Sequence, residues 1–354
     1  MILIVSHLGD HHTRRVVEEL SRLEQDAELI DTAEFPSRAR LRHYFEAGVQ
    51  RPQLTIAGRQ VDLGRAGVGW WRRPQPFTME DGVDPTAVSF AYTECHEALA
   101  GLWGALPIPW VNPPHLDEAA HHKPYQLAVA ERVGLRVPRT LITNDPDAAR
   151  GFIADLGASQ TVYKTFLATA DHWRETRILD PVELNLLDRV KLAPVIFQEY
   201  VPATADIRVT VAGSSLFPAA IVSAPGGYSL DYRMDLGGAR FDATDLPPRL
   251  ETRLRALMDH LGLVYGAIDL RRTPDDDYVF LEINPAGEWL FVEERTGQPI
   301  TRGFASLLAE LDASGLASKE RESGAGRETA KSARQNLVAA GRSAGRAGRG
   351  RRAS

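Results

Sequence analysis

Asp269 lies in the segment YGAIDLRR, and Glu282 and Asn284 lie in FLEINP. Two residues apart on a strand, Glu282 and Asn284 project to the same face. The acidic turn PDDD is short enough to pair their strand with that of Asp269. Three hard oxygen donors converging on one face suit Mg²⁺, whose remaining positions go to waters and phosphate oxygens. The alternative is a solvated sheet face. It fits less well, because both strands are otherwise apolar and a buried carboxylate without a partner is costly.

Two lysines point to an anion. Lys164 sits inside the apolar run TVYKTFL, where an ammonium needs a counter-charge or a path to the sheet edge. Lys123 follows the Pro-rich bend WVNPP and, taken alone, reads equally well as a surface residue. Phosphate is a natural partner for such point charges. Gln198, Glu199, Tyr200 and Val201 close another apolar strand just before Pro202, whose composition marks a junction and hence a place for a ligand cleft. Exposed backbone groups there have the geometry to read an adenine edge. Asp206 and Arg208 follow, alternating onto one face; Arg208 is suited to neutralising a terminal phosphate or to a salt bridge.

These residues require strands and helices to hold them, and the periodicities supply both. Residues 1–115 read as an α/β module: strands ILIVS, AELID, VGWW and IPWVNPP, helices HTRRVVEELSRLEQ and 87–106, and a hairpin LTIAGRQVDL turning at Gly58. Residues 116–200 follow with one helix over 117–133, capped by Asp117 and ended at Gly134, then VPRTLIT, a helix opened by Pro146, and the strands TVYKTFL and VIFQEYV. Residues 201–312 contribute two strands around Gly213, a helix from Pro248 to Gly262, the paired strands of Asp269 and Glu282, and a final helix over 301–313. There is no internal repeat.

The 354 residues suffice for several cores, and a composition of 44% hydrophobic and 25% charged residues is that of a globular protein. No apolar run approaches the roughly 18 residues of a membrane span. The start, MILIVSHLGDHH, lacks the pattern of a signal peptide. The single Cys95 excludes an internal disulfide, fits a reducing cytoplasm, and reads as a structural thiol rather than a nucleophile because no base lies beside it. The net charge of −6 conceals an asymmetry: residues 313–354 hold ten Lys/Arg against three Asp/Glu. This Gly-, Ala-, Ser- and Arg-rich tail has too few large apolar residues to offset its ordering entropy, so disorder is expected. It reads as a solvated extension. Without interleaved aromatics, nucleic-acid binding is not expected.

The ordered set Lys123, Lys164, Gln198–Val201, Asp206, Arg208, Asp269, Glu282 and Asn284 resembles the ATP-grasp superfamily over about residues 110–312. The glycine signatures of dinucleotide-binding and P-loop proteins are absent. A narrower resemblance, carried by HTRRVVEEL, ELIDTAEFP, VGWWRRPQPF, WVNPP, VPRTLITNDP, LDYR and FLEINPAGEWLFVEERTGQPI, is to the ATP-grasp ribosomal-peptide maturases, the graspetide or microviridin-type synthetases. That resemblance implies an α/β protein with an ATP-grasp fold of α+β lobes and an N-terminal pre-ATP-grasp domain over 1–115. Central and C-terminal lobes would span 116–200 and 201–312, and the basic tail 313–354. It implies ATP and Mg²⁺ as cofactors, with Lys123 and Lys164 on phosphates, Gln198 to Val201 on adenine and Arg208 on the γ-phosphate. Asp269, Glu282 and Asn284 would hold the metal. The implied reaction phosphorylates a side-chain carboxylate of a precursor peptide carrying a leader sequence; a Ser/Thr hydroxyl or a Lys amine then attacks the acyl phosphate. Arg233 in LDYR is the candidate for the oxyanion, and Asp231 or Asp206 for the base. Leader contacts would come from the central lobe and positions 214–240; Trp70, Trp71, Arg72 and Arg73 read either as a peptide patch or as packing of the first module on the ATP lobe. A cytoplasmic homodimer is expected.

Some features depart from the pattern. The segment after Lys164, TFLATADHWRETRIL, has no glycine, so a lid there is shorter or closes with Thr, His and Arg side chains. No separate acidic ribose ligand is evident between Tyr200 and Asp206. Two alternatives share parts of these features: a free-standing, RimK-like peptide or amino-acid ligase, and a non-catalytic nucleotide- or RNA-binding protein that uses the basic tail.

Overall fold

The structure, a computed structural model, describes residues 1–166, 176–224 and 237–318. The first sheet is parallel, in the order β2(Ala27–Ile30), β1(Ile2–Val5), β6(Val68–Trp71), β7(Trp110–Val111). β1 is apolar throughout because both its faces are covered: Ile2 and Ile4 enter one core, Leu3 and Val5 the other. Helix α1(His11–Arg22) follows, capped by the Asp10 carboxylate on the Thr13 amide at 2.9 Å. An antiparallel sheet, β3(Ala39–Glu46), β4(Val49–Ile56) and β5(Arg59–Asp62), lies beside it. The turn expected at Gly58 joins β4 to β5; β3 is not apparent from the sequence because five of its eight residues are exposed. α2(Pro85–Ala105) completes this part and buries only Leu99, Leu102 and Trp103.

The helix expected over 117–133 is instead two, α3(Pro114–His121) and α4(Lys123–Arg132). Pro124 has no N–H to give the Ala120 carbonyl, which accepts from the Gln126 side chain at 2.5 Å instead. Asp117 therefore lies inside α3, buried, rather than at a cap. The next sheet is antiparallel: β10(Arg177–Ile178), β9(Thr161–Lys164), β11(Val195–Glu199), β8(Thr140–Thr143). α5(Pro146–Leu156) and a 3-10 helix, Pro181–Leu192, cover its outer face through Ala149, Ile153, Leu187 and Val190.

The largest sheet runs β14(Arg240–Ala243), β13(Ser215–Val222), β12(Ala205–Ala212), β15(Tyr265–Arg272), β16(Tyr278–Asn284), all antiparallel. α4 and α6(Pro248–Leu261) pack one face, with Gly262 ending α6 in the left-handed conformation at φ 66°. α7(Leu290–Thr296), too short for its period to show in the sequence, precedes a helix over 300–318, longer than the expected 301–313.

That last helix joins the two ends of the chain. Ile300, Phe304 and Leu308 pack with Ile2, Ile4 and Trp70 of the first sheet and with Ala212 and Tyr265 of the largest. Trp289 is fully buried at the centre of this contact: its ring lies 4.5 Å from His12 and 5.4 Å from both Tyr265 and Phe304, and its indole N–H donates to Thr301 Oγ1 at 2.9 Å. Trp289→Ala removes a ring touching both modules and is expected to cost about 3–5 kcal/mol. Urea unfolding measures this; a loss below about 1 kcal/mol would show that the modules are not joined through Trp289.

Candidate functional site

The largest sheet brings the chemistry together by register. Asp269 pairs with Arg208 on one side and Glu282 on the other, with a bulge between Asp269 and Leu270. Arg208 Nη1 donates to both Asp269 oxygens, at 2.9 and 2.8 Å, and its Nη2 donates to the Glu288 carbonyl at 3.0 Å. Both residues are buried, so the charge of one is matched by the other. Two residues along on each strand, the Arg271 Nε donates to Asp206 Oδ1 at 3.1 Å and its Nη1 to the Val201 carbonyl at 3.0 Å, with the guanidinium 5.7 Å from the Tyr200 ring. Arg271 was not singled out from the sequence, although its spacing of two from Asp269 on a strand marks it as facing the same way. Lys123, the first residue of α4, forms a short ion pair with Glu282.

A cleft lies between this sheet and β9/β11. Lys164, Gln198, Glu199, Tyr200 and Val201 line it from one lobe; Asp206, Asp269, Arg271 and Glu282 line it from the other. Gln198 is buried and donates to Thr140 Oγ1 at 2.8 Å. The amides of Glu199 and Tyr200 donate to the Arg139 and Gln160 carbonyls, both at 2.8 Å, so these two N–H groups are held within the central lobe and do not face a ligand. Asn284 stands apart. It is exposed, lies opposite Ala267, and its Oδ1 accepts from the Ala286 amide at 2.9 Å. It lines a second cavity instead of the cleft. Asp231 and Arg233 fall outside the described residues, as do the tail from 319 onward and the segment 167–175.

The donor chemistry fits Mg²⁺ at Asp269 and Glu282: two carboxylates in register across paired strands, each now held by a cation, Arg208 and Lys123 respectively. Among the described residues no group of three or more His, Cys, Asp or Glu side chains is gathered as a metal cluster, so phosphate oxygens would have to supply further ligands.

The segment after Asn284 is held by the first module. Arg72, buried on the strand exit of β6, donates to the Ala286 and Gly287 carbonyls at 2.6 and 2.9 Å and to Asp10 at 3.2 Å. Arg73 pairs with Glu288 at 2.8 Å. Trp70, Arg72 and Arg73 thus pack the module against the lobe, the second of the two roles the sequence left open. Burial works against the charged form of Asp10, but His12, Arg72 and Thr13 override it and hold the carboxyl far below the usual range. Burial lowers the His12 pKa, and the neutral ring accepts at Nε2 from the Trp289 and Leu290 amides at 3.0 and 3.2 Å. Burial also pushes Tyr265 up to about 12, keeping its hydroxyl a donor to the Gly287 carbonyl at 2.8 Å.

The second cavity, about 900 Å³, lies between this segment, α2 and α3. Asp117 is at its wall; burial pushes its pKa up to about 6, against the opposing effects of His121 and of Asn112, whose Nδ2 donates to it at 3.1 Å. A raised folded pKa means that the folded chain binds more protons than the unfolded one between about pH 4 and 6, so stability falls as pH rises through that window. Asp117→Asn should therefore raise stability by about 1–3 kcal/mol at pH 7.5 and by nothing at pH 4. Thermal unfolding of both proteins across this range reads it; a difference independent of pH would contradict the assignment.

Comparison with known proteins gives a consistent result. A family model described as the MvdD pre-ATP grasp domain matches residues 1–118. No curated protein matches. Among solved structures, the macrocyclase MdnC of Microcystis aeruginosa MRC, bound with precursor peptide MdnA, is 28% identical with a TM-score of 0.77, over 87% of this chain and 99% of that one. A RiPP-associated ATP-grasp ligase of Chryseobacterium gregarium, in complex with ADP and a leader and core peptide, is 25% identical with a TM-score of 0.79, over 87% and 96%. The ATP-grasp ligase PsnB, complexed with minimal precursor, Mg and ADP, shares the fold at 24% identity and a TM-score of 0.72, over 88% and 97%. With the first module, both antiparallel lobes and the cleft between them accounted for in one chain, the protein is an ADP-forming ATP-grasp ligase similar to the ribosomal-peptide maturases, or graspetide synthetases.

Proposed function

We propose that this ligase uses ATP to phosphorylate Asp or Glu side chains of a leader-bearing precursor peptide and joins them to Ser/Thr hydroxyls or Lys amines, closing ω-ester or ω-amide rings. The observation that carries this is the inter-lobe cleft, where Lys164 and Gln198–Val201 from one lobe meet Asp206, Asp269 and Glu282 from the other. In this reading Lys164 binds phosphate oxygens and the Gln198–Val201 strand end borders the adenine. Asp269 and Glu282 hold Mg²⁺, which when bound neutralises phosphate charge and favours in-line transfer. Asn284 joins them by turning from the Ala286 amide. Arg208 keeps Asp269 oriented from behind. Lys123, released from Glu282 as the metal enters, becomes available to a phosphate. Arg233 is retained as the candidate for the oxyanion, and Asp206 and Asp231 as candidate bases.

The substrate is made by ribosomes and the reaction consumes ATP, so the cytoplasm is its place of work. Among the described residues no helix is long and apolar enough to cross a membrane. A homodimer is also proposed. Val88 and Phe90 on the outer part of α2 are exposed, which supports a self-association surface there. Phe90→Asp should convert dimer to monomer in light scattering; an unchanged mass would remove α2 from the interface.

The panel for the enzymatic test contains MdnA, PsnA2 and any short peptide with clustered Thr and Glu/Asp found encoded beside this chain's gene. A peptide of this set should stimulate ADP release and leave with a mass lower by one water per linkage. Glu282→Gln should reduce that turnover by about 100-fold or more. Turnover driven by free amino acids alone would favour a small-molecule ligase, and unchanged turnover in Glu282→Gln would misplace the metal site. Removing 319–354 is expected to leave ligation intact, whereas its loss would implicate the tail.

A further inference from the structure

Apart from Asn284, the lining of the second cavity has no part in the reaction described so far. Its aromatic wall is formed by Trp71, Phe77, Tyr92 and Trp103, and its polar wall by Asp117 and His121 of α3. It reaches Asn284 and Ala286, two and four residues beyond Glu282. α3 packs on β16, and Lys123, two residues beyond His121, pairs with Glu282. The polar wall therefore belongs to the helix that packs on the strand of Glu282, the group that would hold the metal.

His121 is built to accept a proton there. Its Nδ1 lies 2.8 Å from the Asp117 carbonyl, an acceptor only, so Nδ1 carries the hydrogen and the neutral ring presents Nε2 as a base. The Asp117 carboxylate stands 3.5 Å from the same Nδ1, where it stabilises the ring once protonated. Asn112 fixes that carboxylate at 3.1 Å and anchors it to the fold, since its Nδ2 also donates to the Pro285 carbonyl at 3.1 Å and to the Tyr265 carbonyl at 3.0 Å. The same residue links the His–Asp pair to the segment that follows Asn284. Asp117 remains buried in a place where its charge is disfavoured, the kind of cost met at working sites.

We propose that this cavity receives the acceptor segment of the peptide and that His121, positioned by Asp117, is the base for an attacking hydroxyl. The inference rests on the ligase reading above. The hydroxyl oxygen attacks the acyl carbon and forms the ester C–O bond as its proton passes to His121 Nε2. The C–O bond to phosphate breaks, and phosphate leaves with the electron pair. His121 then gives its proton to the departing phosphate or to solvent.

Hydroxylamine separates the two half-reactions, because its amine attacks an acyl phosphate without prior loss of a proton. The peptide panel is incubated with ATP, Mg²⁺ and wild-type, His121→Gln or Asp117→Asn enzyme, with and without hydroxylamine. Ring closure and hydroxamate are both read by mass. His121→Gln is expected to slow ester closure about 100-fold while hydroxamate stays within about threefold of wild type. Asp117→Asn should shift the same ratio in the same direction by about tenfold. Intact hydroxamate formation also reports that each variant is folded. Wild-type ring closure by His121→Gln overturns the proposal, as does an equal loss of both products. If the wild-type enzyme forms no hydroxamate with any peptide, the ligase reading itself fails and the inference with it; hydroxamate from wild type with normal closure by both variants sinks the inference alone.

Discussion

Two buried guanidinium groups grip the segment that follows the metal-site strand, and the rest of the site depends on that grip. Arg72 reaches it from the first module, donating to the Ala286 and Gly287 carbonyls; Arg208 reaches it from the largest sheet, donating to the Glu288 carbonyl. Each is neutralised by one carboxylate, Asp10 for Arg72 and Asp269 for Arg208. An arginine suits this task because its planar fork serves a carboxylate and backbone carbonyls together. A buried charge without its partner is costly, so each pair fixes two elements at once. Asp10 caps α1, Asp269 sits on β15, and the clamped segment joins both to Trp289 and the core around it. The first module is thereby part of the site's foundation.

Both carboxylates proposed for the metal are already matched by cations, which lets the folded chain keep them in register. They differ in how firmly they are held. Asp269 is buried with a guanidinium contacting both of its oxygens, whereas Glu282 and Lys123 are each about one-fifth exposed. The lysine is the more readily displaced, being a single flexible point charge. Nucleotide and metal would exchange the Lys123 contact while the Arg208 contact persists, so binding requires rearrangement of one side chain and not of the sheet.

Much of this was legible in the sequence. Period-two patterning placed Asp206 with Arg208 and located β12, β13, β15 and β16, because these strands are long and one face of each is apolar. Gly213 and Gly262 marked a turn and a helix end. What escaped has physical reasons. β3 is mostly exposed, and α7 spans only Leu290–Thr296, too short for a helical period to show. The break at His122 depends on a single missing amide at Pro124. Asn284 shares strand parity with Glu282, yet at the strand's end its side chain bonds to the local turn, which parity does not foresee. Arg72 acquires its role only from distant partners, Ala286 and Gly287, and the local pair Asp117 and His121 is tied to the site only through Asn112, whose other partners, Tyr265 and Pro285, lie far along the chain.

In the proposed reaction the γ-phosphoryl group is transferred to a side-chain carboxylate held beside Asp269 and Glu282. Labelling the peptide's Asp and Glu carboxylates with heavy oxygen tests it most directly. Each linkage formed should transfer one labelled oxygen to inorganic phosphate, with ADP as the nucleotide product. Label retained in the peptide, or label appearing in AMP, would contradict it.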